Sequence, residues 1–294
     1  MDNVLTLIAG TPGGLDDALV ERVRGEIAGA GAVDWLAPGL ACDIPFAGDG
    51  EPGAVATGAR TALADAAIDV IAQSVAGRRR AILIADMDST IVTGESLDEL
   101  ADEAGIKAHI ADITARAMNG EIPFDAAVRE RVGLLAGLPA AALERTHARL
   151  ELTSGARTLI ATMRAHGALT TLVSGGFEFF TSRVAEDVGF DFNQGNRLEI
   201  VDGTLTGQVI EPILDKQAKL DTLVALADER GLSPADVVAI GDGANDLPMI
   251  SAAGLGIAFR AKPVVSAAAA HRLDHADLTG ILFAQGYRAG DFTT

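Results

Sequence analysis

From Ala81 onward, short apolar runs recur between stretches of helical spacing. Ile82–Ala85, Leu169–Val173, Val237–Ile240 and Leu255–Phe259 lack the polar alternation of half-exposed strands. They read as strands covered on both faces, and their alternation with helical segments predicts βαβ units and a parallel sheet. Arg197–Val201 and Thr204–Val209 flank Asp202-Gly203, a two-residue hairpin signal. Residues 95–152 break the alternation with helices only. Ser96 and Glu99 fit a capping box, Gly120 can end one helix, and Phe124, Val128, Val132 and Leu135 trace an apolar stripe on another. This block interrupts the chain just after the first strand, where a cap over that strand's carboxyl end would sit.

Residues 1–78 read as a separate small α/β unit ahead of a core over 79–294. Val4–Ala9 is strand-like, and Leu15, Leu19, Val23 and Ile27 have helical spacing. Pro45, Gly48, Gly50, Pro52 and Gly53 punctuate a connection between a strand within Val33–Ile44 and a second helix through Leu63–Val75. Arg78-Arg79-Arg80 marks the boundary and reads as a solvated linker rather than a polyanion patch.

Composition narrows the function classes. Forty-one acidic against 23 basic residues give a net charge of −18, which repels nucleic acid and anionic lipid, so no nucleic-acid partner is expected. No basic leader precedes an apolar stretch, and no apolar run reaches the roughly 18 residues of a membrane span. The expectation is a cytoplasmic protein with no membrane partner. The single cysteine, Cys42, excludes an intramolecular disulfide and reads as a small buried hydrophobe. His271 and His275 stand four apart on an apparent helix, but no third ligand accompanies them.

Polar residues gather after three of the predicted strands: Asp86 and Asp88, then Ser174-Gly175-Gly176, then Asp242 with Asn245 and Asp246. In an open parallel sheet those ends converge on one crevice. Carboxylates meeting there repel one another unless a cation lies between them, and Mg²⁺ suits oxygen ligands beside a substrate phosphate. Ser174 and the amides of Gly175 and Gly176 can cradle an anion just before a helix starting near Phe177. Lys219, on a helix following Asp215, can supply a positive charge to a transferring phosphoryl group.

In order and spacing, the segments ADMDST, LVSGGF, Lys219 and GDGAND resemble the four motifs of the haloacid dehalogenase superfamily. Within it, the stretch from about Ile82 to Leu282 is similar to the phosphoserine phosphatases, cap segments MNGEIPF and RERVGLL included. The resemblance implies a doubly wound parallel-sheet core with an inserted helical cap, joined to an N-terminal unit that is partly similar to an ACT domain. It implies a Mg²⁺-dependent hydrolysis of O-phospho-L-serine, the last step of serine biosynthesis. Asp86 would be the nucleophile, ionised at neutral pH through its own low pKa, and Asp88 the acid and then the base. Asp86, the backbone carbonyl of Asp88, and Asp242 would hold the metal. Lys219 would offset charge, Asn245 would contact the phosphoryl group, and Asp246 would orient Lys219 or a metal-bound water.

Arg131 lies on the same predicted helical face as Phe124 and Val128, so it needs either a cap carboxylate or a ligand as partner. The resemblance assigns it the substrate carboxylate, Glu95 the ammonium group, and Met118 and Phe124 the apolar wall. Rival readings are a related amino-acid phosphate such as phosphohomoserine, and a catalytically silent phospho-ligand sensor. For residues 1–78, serine sensing, homodimer formation and a stabilising extension all stay open.

Overall fold

The four apolar runs lie side by side in one sheet of the computed structural model, which describes residues 1–47, 51–118 and 121–294, the Met118 side chain excepted. Gly48, Gly50 and Gly120, and the side chain of Met118, therefore lie outside the described residues.

The N-terminal unit runs β1 (Asn3–Ala9), α1 (Asp17–Gly25), β2 (Asp34–Ala37), β3 (Ala41–Phe46), α2 (Pro52–Leu63) and β4 (Ile68–Ser74). Its strands form an antiparallel sheet in the order β2-β3-β1-β4, a β-α-β-β-α-β arrangement of the ferredoxin-like kind. Two expectations are corrected here. Residues 33–44 hold two strands rather than one, and the segment expected as a second helix is mostly β4, the helix lying earlier. The reason is burial: Ile68 to Gln73 is buried on both faces of β4, Asp69 and Gln73 included, so no alternation marks it as a strand.

One face of this sheet packs on α1 and α2, through Leu5, Leu7, Val20, Val23, Ala59 and Leu63. The other face joins the core through Ile8, Leu36, Ala41 and Ile71. The arginine run is no solvated linker. Arg78 is an ion-pair partner of Asp43 at 2.6 Å, donates to Thr6 Oγ1, and reaches the carbonyls of Phe283 and Ala284. Arg80 donates to the carbonyls of Ala235 and Gly254, and Arg79 lies over the ring of Tyr287.

The core opens with β5 (Ile82–Ala85), every residue of which is fully buried, Ile82, Leu83 and Ile84 each contributing about 1.5–3 kcal/mol. The cap follows as α3 (Ser96–Glu103), α4 (Lys107–Met118), α5 (Phe124–Gly133) and α6 (Ala141–His147). Then come α7 (Ala156–Ala165), β6 (Leu169–Phe177), α8 (Glu178–Val188), β7 (Phe192–Val201), β8 (Thr204–Ile210) and α9 (Lys216–Glu229). The chain closes with β9 (Val237–Gly241), α10 (Leu247–Ala252), β10 (Leu255–Phe259), α11 (Pro263–Ala268), β11 (His271–Leu273) and α12 (Gly280–Ala284).

The sheet order is β11-β10-β9-β5-β6-β7-β8, parallel apart from the β7–β8 hairpin. Asp202 and Gly203 both have positive φ, the conformation a tight two-residue hairpin turn demands. Strand order reverses on either side of β5, which places the carboxyl ends of β5, β6 and β9 at the switch point. His271 sits in β11 and His275 beyond it, so the expected helical pair does not form. Among the described residues no helix is long and apolar enough to cross a membrane.

Candidate active site

Asp86 leaves β5 with its Oδ1 accepting from its neighbour's amide, Met87 N, at 2.8 Å. The backbone then turns sharply, with Ser89 at a φ of 54°, and brings Asp88 and Ser89 toward the cap. Lys219 is the buried cation of the crevice: its Nζ lies 2.7 Å from Asp86 Oδ1 and 2.6 Å from Asp246 Oδ1. Asp246 Oδ2 in turn accepts from Gly243 N at 2.9 Å, which fixes the loop after β9. Burial alone would lower the Lys219 pKa, but Asp86 and Asp246 together raise it, so the ammonium stays charged.

Carboxylate oxygens of Asp86, Asp242 and Asp246 lie within 4.8 Å of one another, the one such group of potential metal ligands among the described residues. Three buried carboxylates meet one buried ammonium, with the exposed Lys262 ammonium at the edge of Asp242, and the excess of negative charge makes this donor set fit a hard divalent cation. The excess shows in the pKa directions of the carboxylates. Burial, then Asp246, raises the Asp86 pKa despite Lys219, and burial raises that of Asp242. Asp86 therefore does not owe an ionised state to a low pKa of its own, as the sequence suggests; a bound cation would restore it.

Asp88 turns away from that cluster. Its Oδ1 accepts from Ser96 N at 2.8 Å, at the start of α3. Burial and the charge of Glu95 lift its pKa to about 7. The expected Ser96–Glu99 capping box does not form, because the Ser96 amide has a tertiary acceptor in Asp88. Ser89 Oγ donates to Glu95 Oε1 at 2.8 Å and anchors Glu95 beside the turn.

Ser174, Gly175 and Gly176 occupy a register shift between β6 and β7, with Ser174 Oγ accepting from Gly176 N at 2.9 Å. A Cβ at Gly176 would stand 2.9 Å from Asp88 Oδ2 and 3.1 Å from Ser174 Oγ, so only glycine lets the cradle and Asp88 approach. Phe124 opens α5, and its ring tip would lie 3.8 Å from a Cβ at Gly175. Two turns further along α5, Arg131 donates to Ala127 O and Thr114 Oγ1. No carboxylate among the described residues is its ion-pair partner, while burial lowers its pKa and Asp98 and Glu95 oppose that from a distance. Asn245 Nδ2 is 3.5 Å from Asp246 Oδ1. The structure thus brings together the sequence-predicted Asp86, Asp88, Glu95, Ser174, Gly175, Lys219, Asp242, Asn245 and Asp246, with Phe124 at the rim.

The family pattern of the haloacid dehalogenase-like hydrolases matches residues 83–251. The chain belongs to that family. The hydrolase is 44% identical over 216 residues to a phosphoserine phosphatase of Archaeoglobus fulgidus, a match covering 73% of this chain and 63% of that protein. It is 43% identical to a phosphoserine phosphatase of Streptococcus thermophilus, covering 69% of this chain and 94% of the relative. A solved hydrolase of the same family from Salmonella enterica serovar Typhi superposes with a TM-score of 0.86 at 29% identity, over 96% of this chain and 97% of that one. The hydrolase thus spans less than two thirds of the archaeal relative's length.

Sequence reasoning missed two residues of the crevice. Asn196, 1% exposed, donates through Nδ2 to Gly175 O at 2.8 Å and accepts from Leu214 N at 2.8 Å, tying the cradle to the segment that leads into α9. Lys262 Nζ stands 3.6 Å from Asp242 Oδ2. Neither lies in a motif, and only tertiary pairing reveals them. Cys42 is buried, with its thiol pushed up to about 12, chiefly by burial.

Proposed function

We propose that this hydrolase cleaves O-phospho-L-serine to L-serine and phosphate, with magnesium as its cation. The observation that carries this reading is Arg131, a half-buried guanidinium without a carboxylate ion-pair partner among the described residues, on the helix whose first residue, Phe124, rests over the phosphate cradle. A planar carboxylate on the substrate would complete it. Glu95, anchored by Ser89, offers the opposite charge for an α-ammonium group. The names of the relatives agree with that substrate.

In this reading Asp86 attacks phosphorus in line, forming an acyl phosphate as the bond to the serine oxygen breaks. Asp88 donates its proton to that leaving oxygen, a role suited to a carboxyl with a pKa of about 7. Asp88 then takes a proton from the water that attacks the acyl phosphate, releasing phosphate and restoring Asp86. Ser174 and the amide of Gly175 hold phosphoryl oxygens, Asn245 adds a donor, and Lys219 stays protonated as a fixed counter-charge. Asp86, Asp242 and the Asp88 carbonyl would hold magnesium, which supplies positive charge for the incoming phosphate.

The test is Arg131→Ala, assayed on phosphoserine and on an aryl phosphate that lacks a carboxylate. Loss of about 10²-fold or more in kcat/KM on phosphoserine, with the aryl ester little changed, is expected. Equal losses on both would make Arg131 structural and remove the reading's support. Residues 1–78 are proposed as an ACT-like unit that pairs two copies of the chain, which the mass in solution reads.

A further inference from the structure

Away from the crevice, a cleft of about 490 Å³ opens between α2 of the N-terminal unit and the α11–β11 region of the core. That volume suits a small metabolite. Its polar lining is Thr57, Arg60, Thr61, Ser266 and Arg272, with no carboxylate among the described residues that line it, in a chain of net charge −18.

Arg60 resembles Arg131 in its chemistry. Its guanidinium is half-buried and donates through Nη2 to Val70 O at 3.0 Å, and it has no ion-pair partner among the described residues. Burial, then the neighbouring charge of Arg272, lowers its pKa. A half-buried cation with one carbonyl acceptor has donors left over for an anion in the cleft. The two nearby carboxylates are engaged elsewhere. Asp274 forms an ion pair with Arg272, Nε to Oδ2 at 3.0 Å, and Asp69 accepts from the amides of Asp274, His275 and Ala276.

The hydroxyls complete the picture. Thr57, Thr61 and Ser266 donate their protons to the carbonyls of Gly53, Thr57 and Ala261, so they face the cleft as acceptors. Two guanidinium donors beside three hydroxyl acceptors match a small oxyanion that also carries hydroxyl or ammonium hydrogens. We infer that this cleft binds such an anion, phosphate or carboxylate, through Arg60 and Arg272. The inference is independent of the reaction assigned to the crevice.

Equilibrium dialysis of the full chain against radiolabelled inorganic phosphate, and separately against radiolabelled L-serine, tests it. One equivalent of anion belongs to the crevice and is lost in Ser174→Ala. A further equivalent is expected that Arg60→Gln loses while its turnover and melting temperature stay those of the parent. Phosphate in the second place identifies a phosphate site and serine a carboxylate site; either upholds the inference. Undiminished uptake of both by Arg60→Gln, up to about 10 mM ligand, overturns it. Arg272→Gln reads the same loss should Arg60→Gln fail to fold.

Discussion

Gly176→Ala adds one methyl group where the crevice is tightest. The new carbon would lie 2.9 Å from Asp88 Oδ2, 3.1 Å from Ser174 Oγ and 3.5 Å from Ser96 Oγ. All three are ends of side chains, so the fold can accommodate the methyl by turning them, and stability should change by less than about 1.5 kcal/mol. Asp88 has the tightest contact and must move most, out of line with the leaving oxygen it is proposed to protonate. A displaced general acid costs about 10²-fold or more, roughly 2.7 kcal/mol of barrier. The cost depends on the leaving group. A serine alkoxide needs the proton, whereas a nitrophenolate departs without it and should lose about 10-fold at most. Steady-state kcat on phosphoserine and on p-nitrophenyl phosphate, with a thermal melt as control, gives the comparison. Equal losses on both esters would show that the cradle, not Asp88, took the strain, and parental rates on both would refute the crowding argument outright.

Two further outcomes follow from the charges of the crevice. With Asp88, whose pKa is lifted to about 7, as the proposed acid that releases serine, kcat/KM on phosphoserine should fall as pH rises through that value, a limb that Asp88→Asn abolishes along with most of the rate. Lys219→Met removes the one ammonium between Asp86 and Asp246, both buried. It should cost about 3–5 kcal/mol in a urea melt without divalent cation and less with magnesium present; an equal cost in both would argue that the carboxylates do not hold the ion.

The core was legible because its strands are buried on both faces: Ile82–Ala85 and Val237–Ile240 carry no polar residue to blur their limits. Asp202-Gly203 announced its hairpin for a local reason, the positive φ at both residues. What failed was local pattern overridden from a distance. β4 holds Asp69 and Gln73, whose partners lie in the core around Ala276 and Ala284, over two hundred positions along the chain. The Ser96 amide met Asp88 instead of a cap. The arginine run looked solvated because its acceptors are backbone carbonyls and the side chains of Thr6 and Asp43, more than thirty positions away, which no local pattern betrays. In the site, the motif residues were legible one by one, whereas Asn196 and Lys262 were not, since their relevance lies in what they touch.

The way Arg78 is held bears on how this protein can be cut. Its guanidinium joins Asp43 and Thr6 on one side of the seam to Phe283 and Ala284 on the other, beneath the apolar contact of Ile8 and Ile71 with the core. A version trimmed to begin at residue 79 would carry a bare greasy scar along α12 and strand two carbonyls whose donor had left with the discarded piece. Any shortened enzyme patterned on its smaller relatives would need that scar resurfaced with polar side chains before it could stay in solution by itself.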